Sequence, residues 1–227
     1  MNLKDKVVVI TGASKGLGRA IAGVLSAEES VIILSSRSKE ELNQVEKEID
    51  GVSFVADVTK ESQITDLADF VVNKFGRIDI WINDAGIWMP KASVEETDWN
   101  RAHDLMEVNF FGTVYGSKAA LIKMRKQGYG LIVNIISTGA LDGRAEASAY
   151  RASKFAVSGF TKCMRKEIEG TNIKVIGVYP GGMRTNLFDE QKPEDFEQYM
   201  DPKSVAQKIV DNLKKENPEE ELVIKRN

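Results

Sequence analysis

Seven short apolar runs rich in β-branched residues recur along this chain, separated by stretches of helical pattern far too long to be hairpin turns. The runs are Val7 to Thr11, Val31 to Ser35, Val52 to Ala56, Ile78 to Asn83, Leu131 to Ser137, Ile173 to Tyr179 and Leu222 to Ile224. Helices are expected over Leu17 to Ala27, from a capping box at Ser38 and Glu41 to Ile49, and over Ile64 to Phe75, Thr97 to Gln127, Ala149 to Glu169 and Lys203 to Glu216. Strands joined through helices cannot pair as hairpins, so the sheet is expected to be parallel, covered on both faces and linked by right-handed crossovers. The implied class is α/β, a doubly wound parallel sheet of about seven strands with helices on both faces. A length of 227 residues suits one such domain. Ligands of these sheets bind outside the carboxyl ends of the strands, so functional residues should follow strands.

The first strand runs directly into Gly12-Ala13-Ser14-Lys15-Gly16-Leu17-Gly18 and then into helical Arg19-Ala20-Ile21-Ala22. Glycines here let the backbone turn tightly, bring peptide N–H groups against a pyrophosphate and let the helix approach the strand. A glycine cluster can also be only a loop. The strand before it and the helix after it favour a Rossmann-type dinucleotide cradle. Which dinucleotide it takes should be decided at the end of the second strand, at Ser35-Ser36-Arg37-Ser38. No carboxylate stands there to accept a ribose 2'-hydroxyl, while Arg37 and Lys15 could both reach a 2'-phosphate. That pattern favours NADP(H) over NAD(H), the competing reading being two solvated surface cations.

Tyr150-Arg151-Ala152-Ser153-Lys154 places a phenol and an ammonium one helical turn apart on one face. Such a cation is expected to pull the tyrosine pKa down toward working pH, as a general acid/base requires. The same spacing recurs at Tyr199 and Lys203, but Pro202 bars a continuous helix between them, which makes this second pair the decoy. Ser137 ends the strand before Tyr150, where strand termini deliver functional groups.

Thr11 to Gly18 resembles the Thr-Gly-x-x-x-Gly-x-Gly fingerprint of the short-chain dehydrogenase/reductase family, and further motifs follow in the family's order. The resemblance implies that Tyr150 is the acid/base, that Lys154 binds the nicotinamide ribose and lowers the tyrosine pKa, and that Ser137 holds the substrate oxygen. Asn109, in Val108-Asn109-Phe110-Phe111-Gly112, is similar to the asparagine that completes the family's proton relay. Asp57-Val58 resembles the adenine-binding pair, although an Asp after a strand can equally cap a turn. Asn83-Asp84-Ala85-Gly86 resembles Asn-Asn-Ala-Gly with Asp84 in place of the second Asn, and an ionised carboxylate accepts hydrogen bonds but donates none. Pro180-Gly181-Gly182-Met183-Arg184-Thr185 is similar to the segment that fixes the nicotinamide, Thr185 bonding its carboxamide. The implied cofactor contacts are Gly12, Ser14, Lys15, Gly16, Leu17, Gly18, Ser36, Arg37, Asp57, Val58, Asn83, Ala85, Gly86, Tyr150, Lys154, Pro180, Gly181 and Thr185.

A formal net charge of -3 with basic residues scattered among acids carries no footprint of nucleic acid or anionic membrane as partner. The single cysteine, Cys163, cannot form an intrachain disulfide, and His103 has no companion ligand, so no metal site is expected. Val7 to Ile10 is too short for a signal-peptide core or a membrane span, leaving a cytoplasmic location as the expectation. The expected partner is a small carbonyl or alcohol substrate, with the segment from Asn186 to Tyr199 covering the active site beside Trp88 and Met89. Asp142 reads either as a substrate contact or as a turn cap. The resemblance also implies a homodimer or homotetramer. A non-catalytic NADP(H)-binding redox sensor or scaffold is the rival reading, and Asn109, Ser137, Tyr150 and Lys154 together favour the enzyme.

Overall fold

All seven apolar runs form strands of one sheet in the computed structural model, which describes residues 1–226. In chain order the elements are β1 (Val7–Thr11), α1 (Gly16–Ala27), β2 (Val31–Ser36), α2 (Lys39–Ile49), β3 (Val52–Val55), α3 (Glu61–Phe75) and β4 (Ile80–Asn83). Then come α4 (Trp99–Met106), a π-helical turn (Glu107–Phe111), α5 (Gly112–Gln127), β5 (Tyr129–Ile135), α6 (Ser148–Glu167), β6 (Asn172–Pro180), α7 (Pro202–Lys214) and β7 (Glu221–Ile224). Every pairing is parallel, in the order β3-β2-β1-β4-β5-β6-β7. Strand order therefore reverses between β1 and β4, which opens a crevice at their carboxyl ends.

Alternation along each strand divides the core into two layers. From β1, Val8 and Ile10 pack with Leu17, Ile21 and Leu25 of α1 and with Ile209 of α7, whereas Val7 and Val9 pack with Leu67 of α3 and Ala120 of α5. Burying each large aliphatic side chain contributes roughly 1.5–3 kcal/mol, so a strand buried on both faces is held from both sides.

The structure departs from the sequence reading in three places that bear on the site. The helix expected over residues 97 to 127 is interrupted at Glu107–Phe111, where the Gly112 N–H reaches back five residues to the Glu107 carbonyl. One inserted residue rotates everything after it by about 100°. Here the turn is matched to the side chain of Asn109, whose amide clamps the Ile87 backbone, accepting from its N–H at 2.8 Å and donating to its carbonyl at 3.0 Å. Strand β5 stops at Ile135, so Ser137 stands past its end and caps a short 3-10 turn, accepting the Gly139 N–H at 3.0 Å. The capping box of α2 is only half formed. Ser38 accepts the Glu41 N–H at 3.3 Å, but the Glu41 carboxylate points elsewhere.

Candidate active site

A cleft of about 830 Å³ opens at the carboxyl ends of the central strands, and most of the residues singled out from the sequence line it. At its floor, Gly12 adopts φ +72°, and an added Cβ would stand 2.7 Å from the Ala85 Cα. A Cβ on Gly18 would lie 2.6 Å from the Gly12 carbonyl oxygen, so this residue seats α1 against the turn from behind the cleft wall. Gly16, Ser14, Lys15 and Leu17 line the cleft itself. Helix α1 starts after an extended Lys15 with no side-chain cap and no acid in its first turn. Gly18 directs its N–H at Asp84, which leaves the Gly16 and Leu17 N–H groups for an anion, and the turn fits the pyrophosphate of a dinucleotide.

Along one arm of the cleft lie Ser36, Arg37, Asp57 and Val58. Asp57 Oδ1 caps the local turn, accepting the Thr59 N–H at 3.0 Å and hydroxyl at 2.9 Å, while the residue still lines the cleft. Glu41 lines the same arm and was not among the residues picked out from the sequence. Its carboxylate accepts the Ser14 hydroxyl at 2.9 Å and pairs with Lys15 at 3.3 Å, so an acid reaches this wall from α2 although none stands at residues 35 to 38. The Ser14 hydrogen bond first, and Lys15 after it, hold the Glu41 pKa below the usual carboxylate range.

The other arm holds Ala85, Gly86, Ser137, Tyr150, Lys154, Pro180, Gly181 and Thr185. Thr185 stands opposite Gly16, a Cβ on which would lie 3.6 Å from the threonine Cβ, and its hydroxyl accepts the Leu187 N–H at 3.4 Å. Helix α6 carries Tyr150 and Lys154 on one face, with the Lys154 ammonium 6.0 Å from the tyrosine ring centre and donating to the Ile135 carbonyl at 3.2 Å. Asn83 and Asn109 are buried outside the cleft lining. Asn83 receives the Trp81 indole N–H at 2.8 Å and donates to Ser117 at 3.0 Å and to Asn134 at 2.8 Å, tying β4 to α5 and β5. Asn109 donates to Ser153 on α6 at 3.1 Å in addition to clamping Ile87.

Several groups set the electrostatics around Tyr150. Burial raises the phenol pKa above its ordinary value, while the Ser137 hydroxyl and the Arg151 charge pull the other way. Burial drags Lys154 down, to about 8, with Asp84 opposing the fall. Asp84 is in turn pushed up to about 7 by desolvation, against the attraction of Lys154 and the Gly18 N–H. The acid that replaces the family's asparagine therefore helps keep Lys154 charged. Replacing it (Asp84→Asn) should move the titration of Lys154 to lower pH, measurable by NMR at the lysine side-chain carbon. An unchanged or higher midpoint would disprove that electrostatic link.

At the mouth, Phe188 meets Trp88 edge-on at 5.3 Å and Tyr199 at 5.6 Å, and Phe196 packs behind them. This segment, as expected, covers the cleft, and an Arg101–Glu190 ion pair ties it to α4. Tyr199 precedes α7, which Pro202 opens, so Tyr199 and Lys203 share no helix face. Asp142 pairs with Arg151 and is absent from the lining. Among the described residues no three His, Cys, Asp or Glu side chains could hold a metal ion, and no helix is long and apolar enough to cross a membrane.

Residues 6–195 match the short chain dehydrogenase family. An uncharacterized oxidoreductase of Staphylococcus saprophyticus is 35% identical over 235 residues, covering 98% of this chain and 94% of the relative. The crystal structure of a short-chain dehydrogenase from Streptomyces avermitilis superposes with a TM-score of 0.87 at 31% identity, over 98% of this chain and 89% of that one. An alcohol dehydrogenase from Thermococcus sibiricus, complexed with 5-hydroxy-NADP, superposes with a TM-score of 0.89 at 26% identity, over 97% and 96%. With the strand order, the glycine turn and the match over most of its length in agreement, this chain belongs to the short-chain dehydrogenase family of oxidoreductases.

Proposed function

We propose that the protein is a single-domain, NADP(H)-dependent oxidoreductase that interconverts a small carbonyl compound and its alcohol, with Tyr150 as general acid/base. The observation that carries this reading is the continuity of one cleft from the uncapped first turn of α1 to the Tyr150 hydroxyl, flanked by Ser137 and Lys154. Ser14, Gly16, Leu17 and their peptide N–H groups would hold the pyrophosphate, with Gly12 and Gly18 shaping the turn. Ser36, Arg37, Asp57 and Val58 would hold the adenosine half, and Ala85, Gly86, Pro180, Gly181 and Thr185 the nicotinamide half. A bound nicotinamide supplies hydride exchange, which no side chain of this chain can perform.

In reduction Tyr150 donates its proton to the developing alkoxide, and Ser137 aims a hydroxyl at the same oxygen, so donors are in place where charge appears. Lys154 keeps a positive charge beside this site while anchored on the Ile135 carbonyl. Asn109 supports the machinery from behind by fixing Ile87 and Ser153, and its place in the helix joins α4 to α6. Arg37 and Lys15 favour the 2'-phosphate of NADP(H).

Reading NADPH oxidation across a panel of aldehydes and ketones, with NADH run in parallel, tests the proposal. Turnover with at least one carbonyl is expected. Tight dinucleotide binding without turnover on any of them would move the reading to a redox sensor or scaffold. A cytoplasmic location and a homodimer or homotetramer are part of the proposal, the oligomer supported by Phe111, Ile122 and Phe155, which lie exposed on the π-helical turn, α5 and α6. Light scattering on the purified protein should give two or four chains, and a monomer at micromolar concentration would remove that part.

A further inference from the structure

Glu41 stands on the stretch of cleft wall where the two nicotinamide dinucleotides differ. Helix α2 presents its carboxylate across the cleft toward the glycine turn. There Oε2 accepts the hydroxyl proton of Ser14 at 2.9 Å, and Oε1 accepts from the Lys15 ammonium at 3.3 Å. The Ser14 residue is only 7% exposed, so its hydroxyl is an oriented donor in place of a freely rotating surface group. Ser36, Arg37 and Ser38 complete the same wall from the end of β2. A ribose bound in this fold directs its 2'-substituent at that wall.

Two chemistries compete there. A 2'-hydroxyl can donate to a carboxylate, which gains a hydrogen bond at little desolvation cost. A 2'-phosphate, with nearly two negative charges, must take Lys15 and Ser14 away from Glu41 and then sit beside the released carboxylate. On the reading that a dinucleotide occupies this cleft, we propose that Glu41 is a specificity-determining residue. It accepts the 2'-hydroxyl of NAD(H) and repels the 2'-phosphate of NADP(H), and so narrows the preference created by Lys15 and Arg37. The same pair of contacts explains why the capping box of α2 is half formed, since the carboxylate that would close it is committed to the turn.

The test is to measure dissociation constants for NADPH and NADH by fluorescence titration of the wild type, Glu41→Gln and Glu41→Ala. Both variants keep the backbone N–H that Ser38 caps, and thermal melts would verify that they fold. NADPH should bind about tenfold more tightly to Glu41→Gln, the effect of removing one like charge, with NADH binding unchanged or weaker. The NADPH gain should shrink when salt is raised from about 0.05 to 0.5 M, as it must for a charge effect at a partly exposed wall. A ratio of the two constants that stays within about twofold of wild type, or an equal gain for both dinucleotides, overturns the assignment while leaving the proposed function standing. If neither dinucleotide binds the wild type or either variant, the cofactor reading falls and this inference falls with it.

Discussion

Tyr150→Phe should lower carbonyl turnover by about a hundredfold or more, the contribution expected of a positioned general acid, while leaving the NADPH dissociation constant within about twofold of wild type. The two readouts separate because the substitution removes a single hydroxyl. The tyrosine ring packs against the cluster of Met89, Ala102 and Leu105, and a phenylalanine keeps those contacts. Lys154 retains its bond to the Ile135 carbonyl in the variant. Burial also bears on how each direction responds to pH. With the phenol pKa held above its ordinary value, the protonated form that reduction consumes prevails at neutral pH, and the phenolate that oxidation needs is scarce. Reduction by the wild type should hold steady through neutral pH and oxidation should climb as pH rises. Equal turnover by Tyr150→Phe, or oxidation that falls with rising pH, would defeat the assignment.

Gly116→Ala should be the most damaging single-methyl change in the body of the fold, costing about 3 kcal/mol through overpacking together with loss of a buried hydrogen bond. A Cβ at residue 116 would fall 2.0 Å from the Asn83 side-chain oxygen and 2.8 Å from the Trp81 indole nitrogen. Neither group is free to retreat. Trp81 is fully buried, and the Asn83 amide is already bonded to Ser117 and Asn134, the latter continuing to Thr161 at 2.9 Å. In a domain of this size such a cost lowers the melting temperature by roughly 6–12 °C. Gly23→Ala in α1 is the control: nothing lies within 4 Å of its added carbon, so helix propensity should stabilise the protein by up to about 1 kcal/mol. Melts followed by circular dichroism decide the matter, and a Gly116→Ala midpoint within about 2 °C of wild type would refute the packing argument.

What could be read in advance was whatever depends on neighbours along the chain. Runs such as Val7 to Ile10 are apolar at every position because both faces are covered, and that declared the parallel sheet. The glycine turn and the Tyr150–Lys154 spacing were likewise local. The rest depends on which strands become neighbours. Glu41 was visible only as the partner of Ser38, whereas its partners Ser14 and Lys15 arrive through the β1–β2 pairing. The π-helical turn answers to the Ile87 backbone, a partner that no periodicity within residues 97 to 127 reveals. Spacing put a lysine beside Tyr150, but the desolvation of both groups and the Ser137, Arg151 and Asp84 partners that act on them are properties of the packed site.

Strand β1 has five residues and lies inside the sheet, with β2 on one side and β4 on the other. Its second neighbour begins to form only when Ile80 to Asn83 are available, since Val9 pairs with Trp81 and Thr11 with Asn83. A nascent chain made at about 5–20 residues per second therefore carries a bare hydrogen-bonding edge on a largely apolar strand for several seconds. Ribosome stalling or truncation within residues 37 to 79 would leave that edge permanently open, a template for aggregation before any activity exists.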